Sequence, residues 1–181
     1  MSDYIKPLTE TTMADFQSLF ADDEWEPYQC ACFLREDVDW EKVSADESKK
    51  WRSEYVKKCS DGYIYYSNNQ PVGWCQCVEP QCSNILTSLI KPKESNNVKL
   101  ISCTFVKQGF RQKGLIKAIL SLVIDQCQSD GIKTLYAIPI LEEKLKDPKV
   151  IPHTGFKSIY DNHGFSVIRK SEMFYIMKKT M

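Results

Sequence analysis

A short basic segment with a glycine joins an apolar run to a helical pattern. It consists of Arg111-Gln112-Lys113-Gly114 and follows the run from Val98 to Val106. The first N–H groups of a helix have no acceptor within the helix, and the helix dipole is positive there. Because Arg111 and Lys113 flank these groups and Gly114 allows close approach of the backbone, the segment predicts a local anion site suited to a pyrophosphate. The alternative is a solvated basic turn that only caps a helix.

Cysteines form the second group of residues that could do chemistry. Two Cys-x-Cys pairs and Cys82 could supply thiolates to zinc, but residues two apart in a strand face one side, so Cys75 and Cys77 are expected to act as small apolar groups. The sequence starts without the apolar run of a signal peptide, so all eight are expected to be reduced, and no metal site is predicted. The eight are Cys30, Cys32, Cys59, Cys75, Cys77, Cys82, Cys103 and Cys127.

Predicted strands and helices alternate along the chain, and these elements must position the residues named above. No linker or repeat divides it, so we expect one domain over residues 1–181, in the α/β (α+β) class with a mixed sheet. Predicted strands are Tyr4 to Leu8, Gly62 to Tyr66, Pro71 to Val78, Val98 to Val106, Thr134 to Ile140, Phe165 to Lys170 and Met173 to Lys179. Predicted helices are Thr12 to Phe20, Ala45 to Cys59, Leu115 to the stop at Asp130-Gly131, and Gly155 to Asn162.

The charge balance limits the partners of the protein. The chain carries 24 Lys and Arg against 24 Asp and Glu, so its formal net charge is zero. A broad basic surface for nucleic acid or an anionic membrane is therefore not expected, and any anion must be bound locally. The apolar stretches are far shorter than a membrane span. We expect a soluble, cytoplasmic protein, either monomeric or homodimeric, without a nucleic-acid or membrane partner.

Two motifs resemble those of a known family. The segment from Arg111 to Ile116, preceded by the strand from Ser102 to Val106, is similar to the R/Q-x-x-G-x-G/A signature of the GCN5-related N-acetyltransferase (GNAT) superfamily. Ser158 to Phe165 resembles the closing motif of that family, an aromatic-bearing short helix that ends at Gly-Phe. The order of elements is similar to that of the family over nearly the whole chain. Other segments resemble a bacterial subgroup of the family. One departure is Ile116, where the family prefers Gly or Ala.

The resemblance implies the acyl-CoA N-acyltransferase fold, a mixed and mostly antiparallel sheet flanked by helices. It implies acetyl-CoA as co-substrate and an amine acceptor, either a small molecule or a peptide. The loop and first helical turn would hold the pyrophosphate of CoA, the strand edge would pair with pantetheine, and an N–H near Val106 would polarise the thioester carbonyl. The cofactor-binding residues implied are Thr104, Phe105, Val106, Arg111, Gln112, Lys113, Gly114, Leu115 and Ile116.

Acetyl transfer to an amine also needs a base and a proton for the thiolate. Tyr160 occupies the position nearest to the tyrosine that protonates the thiolate in the family, so it is the candidate general acid. Glu79, which follows the strand with Trp74, is the candidate base. Other candidates are Glu142, Glu143 and His153, whereas His163 is expected to lie at a helix end.

Three hypotheses for function follow from these residues. The first is an acetyl-CoA-dependent N-acetyltransferase, and the second is a non-catalytic CoA-binding sensor or scaffold of the same fold, which Ile116 and the unassigned base keep open. The third, a zinc-stabilised interaction module, depends on the Cys-x-Cys pairs alone. The aromatic residues of the first half, including Trp25, Tyr28 and Phe33, could line an acceptor pocket or belong to the core.

Overall fold

One mixed sheet organises the protein, whose computed structural model describes residues 3–21, 23–36, 38–59, 61–92, 96–148 and 150–181. The strands are β1 (Tyr4–Pro7), β2 (Gly62–Ser67), β3 (Gln70–Val78), β4 (Val98–Val106), β5 (Thr134–Ala137), β6 (Ser166–Lys170) and β7 (Tyr175–Thr180). The α-helices are α1 (Met13–Ser18), α2 (Ala45–Tyr55), α3 (Asn84–Ile90), α4 (Leu115–Ser129) and α5 (Lys157–Asp161). Met1 and Ser2, part of the segment searched for a signal peptide, lie outside the described residues.

The strand order is β1-β2-β3-β4-β5-β7-β6, and among the described strands only β4 and β5 run parallel to each other. The predicted mixed, mostly antiparallel sheet is therefore confirmed. The predicted hairpin is also present, because Asn68 and Asn69 between β2 and β3 adopt φ values of 50° and 64°. Asn tolerates this left-handed conformation, which a two-residue hairpin turn requires.

Helix α4 covers one face of the sheet. Its apolar stripe, including Ile119 and Val123, packs in one cluster with Cys75 and Cys77 of β3, so the expected apolar role of these two cysteines is confirmed. Gly73 allows the close approach, because a Cβ at that position would lie 2.6 Å from Cδ1 of Ile119. Each large side chain buried in this way contributes about 1.5–3 kcal/mol.

The opposite face is covered by α1, α2 and α3. Helix α3 is absent from the sequence-based prediction, although Ser83 before an apolar stretch is a cap signal and its hydroxyl accepts from Leu86 N–H at 3.2 Å. Helix α2 ends at Tyr55 rather than Cys59. Phe33 is buried in the core of this face. Of the two alternatives for the aromatic residues of the first half, an acceptor pocket or the core, the core applies to Phe33.

The end of β5 and the cysteine pairing both differ from the sequence-based expectation. Strand β5 ends at Ala137 rather than Ile140, because Pro139 cannot donate to a ladder, and Ile140 forms only an isolated bridge with Phe174. The expectation of eight reduced thiols is wrong for one pair, because Cys59 and Cys82 form a disulfide with Cα atoms 6.1 Å apart. The end of α2 and the turn before α3 bring these two cysteines together, which their spacing in the sequence does not show.

Candidate functional site

Strand β4 changes its neighbours halfway along its length. Its parallel pairing with β5 ends where Ile101 faces Ala137. On the other side, Cys77 faces Ile101 and Gln76 faces Cys103, so Ser102 is the extra residue of a β-bulge. A bulge bends a strand, and beyond it β4 pairs with β3 only. Beyond the bulge no described strand pairs with the second edge of β4, the open edge, which lines a cavity.

This open edge forms one wall of a cavity of about 450 Å³. The other walls come from the loop after β4, the first turn of α4 and the segment from Ile151 to His153. Eight of the nine residues predicted to bind CoA therefore lie together, which the sequence alone did not show. The lining residues are Trp25, Thr104, Phe105, Val106, Phe110, Arg111, Gln112, Gly114, Leu115, Ile116, Lys117, Ile151, Pro152, His153 and Ile159.

The amino terminus of α4 offers an anion site within this cavity. Gln112 and Gly114 adopt left-handed φ values of 63° and 73°, which turn the backbone before the helix. Gly114 is the N-cap and has no side chain that could accept from the first N–H groups, and the first turn contains no acidic residue. These N–H groups are therefore left to a ligand, and their direction and the helix dipole favour an anion.

The side chains of the two basic residues of the loop contact other parts of the protein, whereas the sequence predicted that both flank the anion. Arg111 Nε donates to the carbonyl of Val106 at 2.9 Å, and its guanidinium pairs with Asp23 at 2.9 Å. Arg111 thus ties the loop to β4 and to the segment before Trp25. Lys113 points its amine at the carbonyl of Gly109 at 3.3 Å and lies over the ring of Phe110. The backbone N–H groups, rather than these two side chains, are therefore the candidate anion-binding groups of this loop.

His153 lies where a longer β5 would continue. Its carbonyl accepts from Thr104 N–H at 2.7 Å. Its ring stacks against Phe33 with centroids 5.7 Å apart, and Nδ1 lies 2.9 Å from the carbonyl of Ile151. A carbonyl only accepts, so Nδ1 carries the proton of the neutral ring and Nε2 keeps its lone pair. Burial lowers the pKa of His153 from its ordinary value of 6.5, which favours this neutral form.

Tyr160 is buried behind the cavity wall. Its hydroxyl donates to the carbonyl of Thr154 at 2.8 Å, and its ring packs on Phe165 and beneath Gly155. Burial raises the pKa of Tyr160 well above its ordinary value, so the hydroxyl stays protonated. In this arrangement Tyr160 holds the turn that follows His153, and its assignment as the general acid stays a prediction.

The carboxylate candidates lie away from the cavity or on the surface. Glu79 follows the end of β3 where Val78 pairs with Leu100, whereas the cavity lies at the opposite end, where Gly73 pairs with Val106. Glu142 and Glu143 are exposed. His163 lies at the end of α5, as predicted, with Nδ1 2.7 Å from the carbonyl of Ile159. Of the base candidates considered, His153 is the one that lines the cavity.

A buried polar network that sequence reasoning missed supports the bulge. Ser102 donates to Oε1 of Gln76 at 2.7 Å, and Nε2 of Gln76 donates to the carbonyl of Cys30 at 2.8 Å and to Asp61 at 3.2 Å. Asp61 is fully buried and pairs with Arg52, which is also fully buried. Buried charges of this kind must be paired. Arg52 stands among charged residues of α2, so the sequence did not indicate that it is buried. The network attaches the segment containing Cys30 to the sheet.

The chain is similar to proteins of known family and fold. The model of the acetyltransferase (GNAT) family matches residues 18–144. A PaiA N-acetyltransferase from Thermoplasma acidophilum in complex with coenzyme A is 13% identical, with 100% of both chains covered and a TM-score of 0.61. An uncharacterized protein from Bacillus halodurans is 14% identical, with 98% of this chain and 83% of that chain covered and a TM-score of 0.67.

An aminoglycoside acetyltransferase in complex with coenzyme A is 13% identical, with 99% of this chain and 95% of that chain covered and a TM-score of 0.60. At these identities the structural similarity shows the fold. No curated protein sequence matches the chain. Within the described ranges, every helix is too short or too polar to cross a membrane. The same ranges contain no group of three His, Cys, Asp or Glu side chains placed to hold a metal ion.

Proposed function

The chain belongs to the acetyltransferase (GNAT) family, and we propose that residues 1–181 form one cytoplasmic domain that transfers the acetyl group of acetyl-CoA to an amine. The observation that carries this proposal is the joining of two ligand-binding features in one cavity. The uncapped amino terminus of α4 can bind a pyrophosphate, and the open edge of β4 can pair with an extended arm. A cavity of about 450 Å³ lies within the usual range for small-molecule sites.

When bound, acetyl-CoA supplies the acetyl group as a thioester. The N–H groups from Gln112 to Ile116 are assigned to the pyrophosphate, with Gly114 leaving the approach free of a side chain. Ile116 replaces the small residue preferred by the family, but its side chain packs against the core that surrounds α4. The side chain of Ile116 thus points partly into the core, and its backbone N–H lies in the first turn of the helix.

Val106 is assigned the N–H that polarises the thioester carbonyl. Lys107 N–H donates to Val72 on β3, so by strand alternation Val106 N–H faces the opposite edge, as Thr104 N–H does. Thr104 N–H already donates to His153, and the N–H of Val106 is the next one along the open edge. A backbone donor fixed in this way stabilises the negative charge that develops on the carbonyl oxygen.

His153 is the base that we propose. A primary amine has an ordinary pKa near about 10 and must lose a proton before it attacks. Nε2 of His153 is able to accept this proton because Nδ1–H is held by the carbonyl of Ile151. Tyr160 remains the proposed donor to the thiolate of CoA, a role that requires its hydroxyl to leave the carbonyl of Thr154. Glu79 would need the acceptor to extend to the far end of β3.

The non-catalytic alternative rests on the position of the carboxylate candidates for the base. Glu79 lies at the far end of β3, and Glu142 and Glu143 are exposed. A domain that only binds CoA needs no base. Calorimetric titration with acetyl-CoA, followed by a thiol-release assay with amines, separates the two functions.

The amine panel for this assay contains a small aliphatic amine, an aminoglycoside and a lysine-containing peptide. The aminoglycoside is included because one structurally similar protein is an aminoglycoside acetyltransferase. Saturable binding with amine-dependent release of CoA thiol is the result expected for the enzyme. Binding without release from any amine would favour the sensor or scaffold. No binding heat and no thermal shift would overturn both.

A further inference from the structure

Cys30 belongs to the Cys-x-Cys motif that acetyl transfer does not use. Its Sγ lies 2.8 Å from Sγ of Cys103, which follows the bulge residue Ser102 on β4. The two sulfur atoms would have to approach by about 0.8 Å to reach a disulfide bond length of about 2.05 Å. A second thiol pair in the core, Cys77 and Cys127, has sulfur atoms 3.7 Å apart, an ordinary thiol contact. We propose that Cys30 and Cys103 form a dithiol site that a low-molecular-weight disulfide oxidises to a Cys30–Cys103 disulfide.

The backbone beside Cys30 is held in place on two sides. The carbonyl of Cys30 accepts from Gln76, and the carbonyl of Gln29 accepts from the buried guanidinium of Arg52. Gln29 and Cys30 also adopt left-handed φ values of 43° and 53°, which are unfavourable for residues with a Cβ. A strained conformation of this kind persists only when surrounding contacts determine it. These contacts direct the Cys30 side chain at β4.

Access and acidity determine which thiol reacts first. Cys30 is partly exposed, whereas Cys103 is 3% exposed. The hydrogen bond with Cys30 and burial raise the pKa of the Cys103 thiol well above its ordinary value, and burial raises the pKa of Cys32 to about 11. Because the thiolate is the nucleophile, Cys30 is the thiol that meets a disulfide from solution.

The reaction is a pair of thiol–disulfide exchanges. The Cys30 thiolate attacks one sulfur of the small disulfide, forms a mixed disulfide and releases the first small thiolate, which takes up the proton that Cys30 lost. Cys103 then attacks the Cys30 sulfur, loses its proton and releases the second small thiol. Two protein thiols and one small disulfide become one protein disulfide and two small thiols. The two electrons pass from the protein to the small molecule.

The bond would attach the segment containing Cys30 to β4 immediately before Thr104. The same segment carries Trp25, which lines the cavity, and Asp23, which pairs with Arg111. Oxidation would therefore link two walls of the cavity covalently. The chemistry itself does not depend on acetyl transfer, so it can be tested separately from the proposed enzymatic activity.

The test is peptide mapping of the whole protein after incubation with oxidised glutathione. Free thiols are blocked with an alkylating reagent, and the protein is digested with trypsin without reduction. Cleavage after Lys99 and Lys107 places Cys103 alone in the peptide 100–107, whereas Cys30 and Cys32 share the peptide that ends at Arg35. The expected product is a crosslink between these two peptides that dithiothreitol removes, with Cys77 and Cys127 alkylated.

Three variants assign the bond. Cys103→Ser should leave glutathione attached to the peptide that ends at Arg35, Cys30→Ser should abolish the crosslink, and Cys32→Ser should retain it. Cys127→Ser is the matched control, because it removes the 3.7 Å thiol pair and should not alter the crosslink. Stable glutathione on the wild-type protein, a bond between Cys30 and Cys32, or equal oxidation of Cys77 and Cys127 would overturn the proposal. These outcomes are read in the wild-type protein, so they do not depend on the folding of any variant.

Discussion

The two halves of β4 are equally buried but have different neighbours. All residues of Val98–Val106 are buried. From Val98 to Ile101 the strand is paired with β5, and at Leu100 and Ile101 it is also paired with β3 on its other side. From Thr104 to Val106 the only described strand that pairs with it is β3, and on its other edge Thr104 N–H donates to the carbonyl of His153 while Val106 faces the cavity. The bulge at Ser102 separates the two halves.

This difference shows that the role of a strand N–H group depends on what lies opposite. In the first half a lost N–H breaks a ladder inside the core, which costs stability. In the second half the N–H of Val106 faces the cavity rather than a strand, so its loss should affect function instead. Both halves are buried, and the end of β5 and the bulge at Ser102 distinguish them.

Proline substitutions in the two halves test this contrast most strongly. Leu100→Pro removes a donor between two strands and leaves a buried acceptor unpaired, so it should lower the free energy of unfolding by about 1–3 kcal/mol. Val106→Pro removes a donor at the open edge and should lower kcat about 10²- to 10³-fold with a folded protein. Circular dichroism and the thiol-release assay measure the two effects.

Val106→Ala is the matched control for the second variant, because it shortens the side chain and keeps the N–H. It should retain most of the turnover. If Val106→Pro and Val106→Ala had the same kcat, the assignment of the Val106 N–H to the thioester carbonyl would be wrong.

His153→Gln tests the base at the open half while leaving the backbone carbonyl on Thr104. We expect kcat to fall about 10²-fold, because Gln does not accept a proton from the amine. In the wild-type protein the rate should stay high at pH 7 and fall only below 6.5, because burial lowers the pKa of His153 and protonation removes the lone pair of Nε2. Rate profiles against pH measure both effects. A variant that keeps the acidic limb of the profile would exclude His153 as its source.

Gly114→Trp tests the anion site beside the open half. Its side chain should block the approach to the first turn of α4 and raise the dissociation constant of acetyl-CoA about tenfold or more, a loss of about 1.4 kcal/mol. Gly131→Trp, at the other end of α4, is the matched control. Both glycines have left-handed φ, 73° and 77°, and open space at the Cβ position. Calorimetry should show weaker binding for Gly114→Trp only, and equal affinities would contradict the pyrophosphate assignment.

Tyr160→Phe is expected to have the smallest effect. Loss of the hydrogen bond to Thr154 should lower the free energy of unfolding by about 1 kcal/mol. If the hydroxyl also protonates the thiolate, kcat should fall with little change in the dissociation constant of acetyl-CoA. Thermal unfolding and steady-state kinetics separate the two roles, and an unchanged kcat would leave Tyr160 as a positioning residue.

Much of the fold was predictable because its signals are local. The Asn-rich turn between β2 and β3, the apolar stripe of α4 and the basic loop with Gly114 all depend on residues close in the sequence. The missed helix α3 had a cap at Ser83 but only a short apolar pattern. The Cys59–Cys82 disulfide, by contrast, depends on the end of α2 meeting the turn before α3.

By itself, the sequence determined the order of the elements apart from α3, the basic turn with Gly114 before α4, and the family motif from Arg111 to Ile116. These features are encoded by spacing, capping and backbone freedom within short segments. Only the tertiary structure decided that His153 lies beside Thr104 beyond the end of β5, and that Cys30 faces Cys103. Both contacts join segments far apart in the chain, and they are set by packing of the whole core.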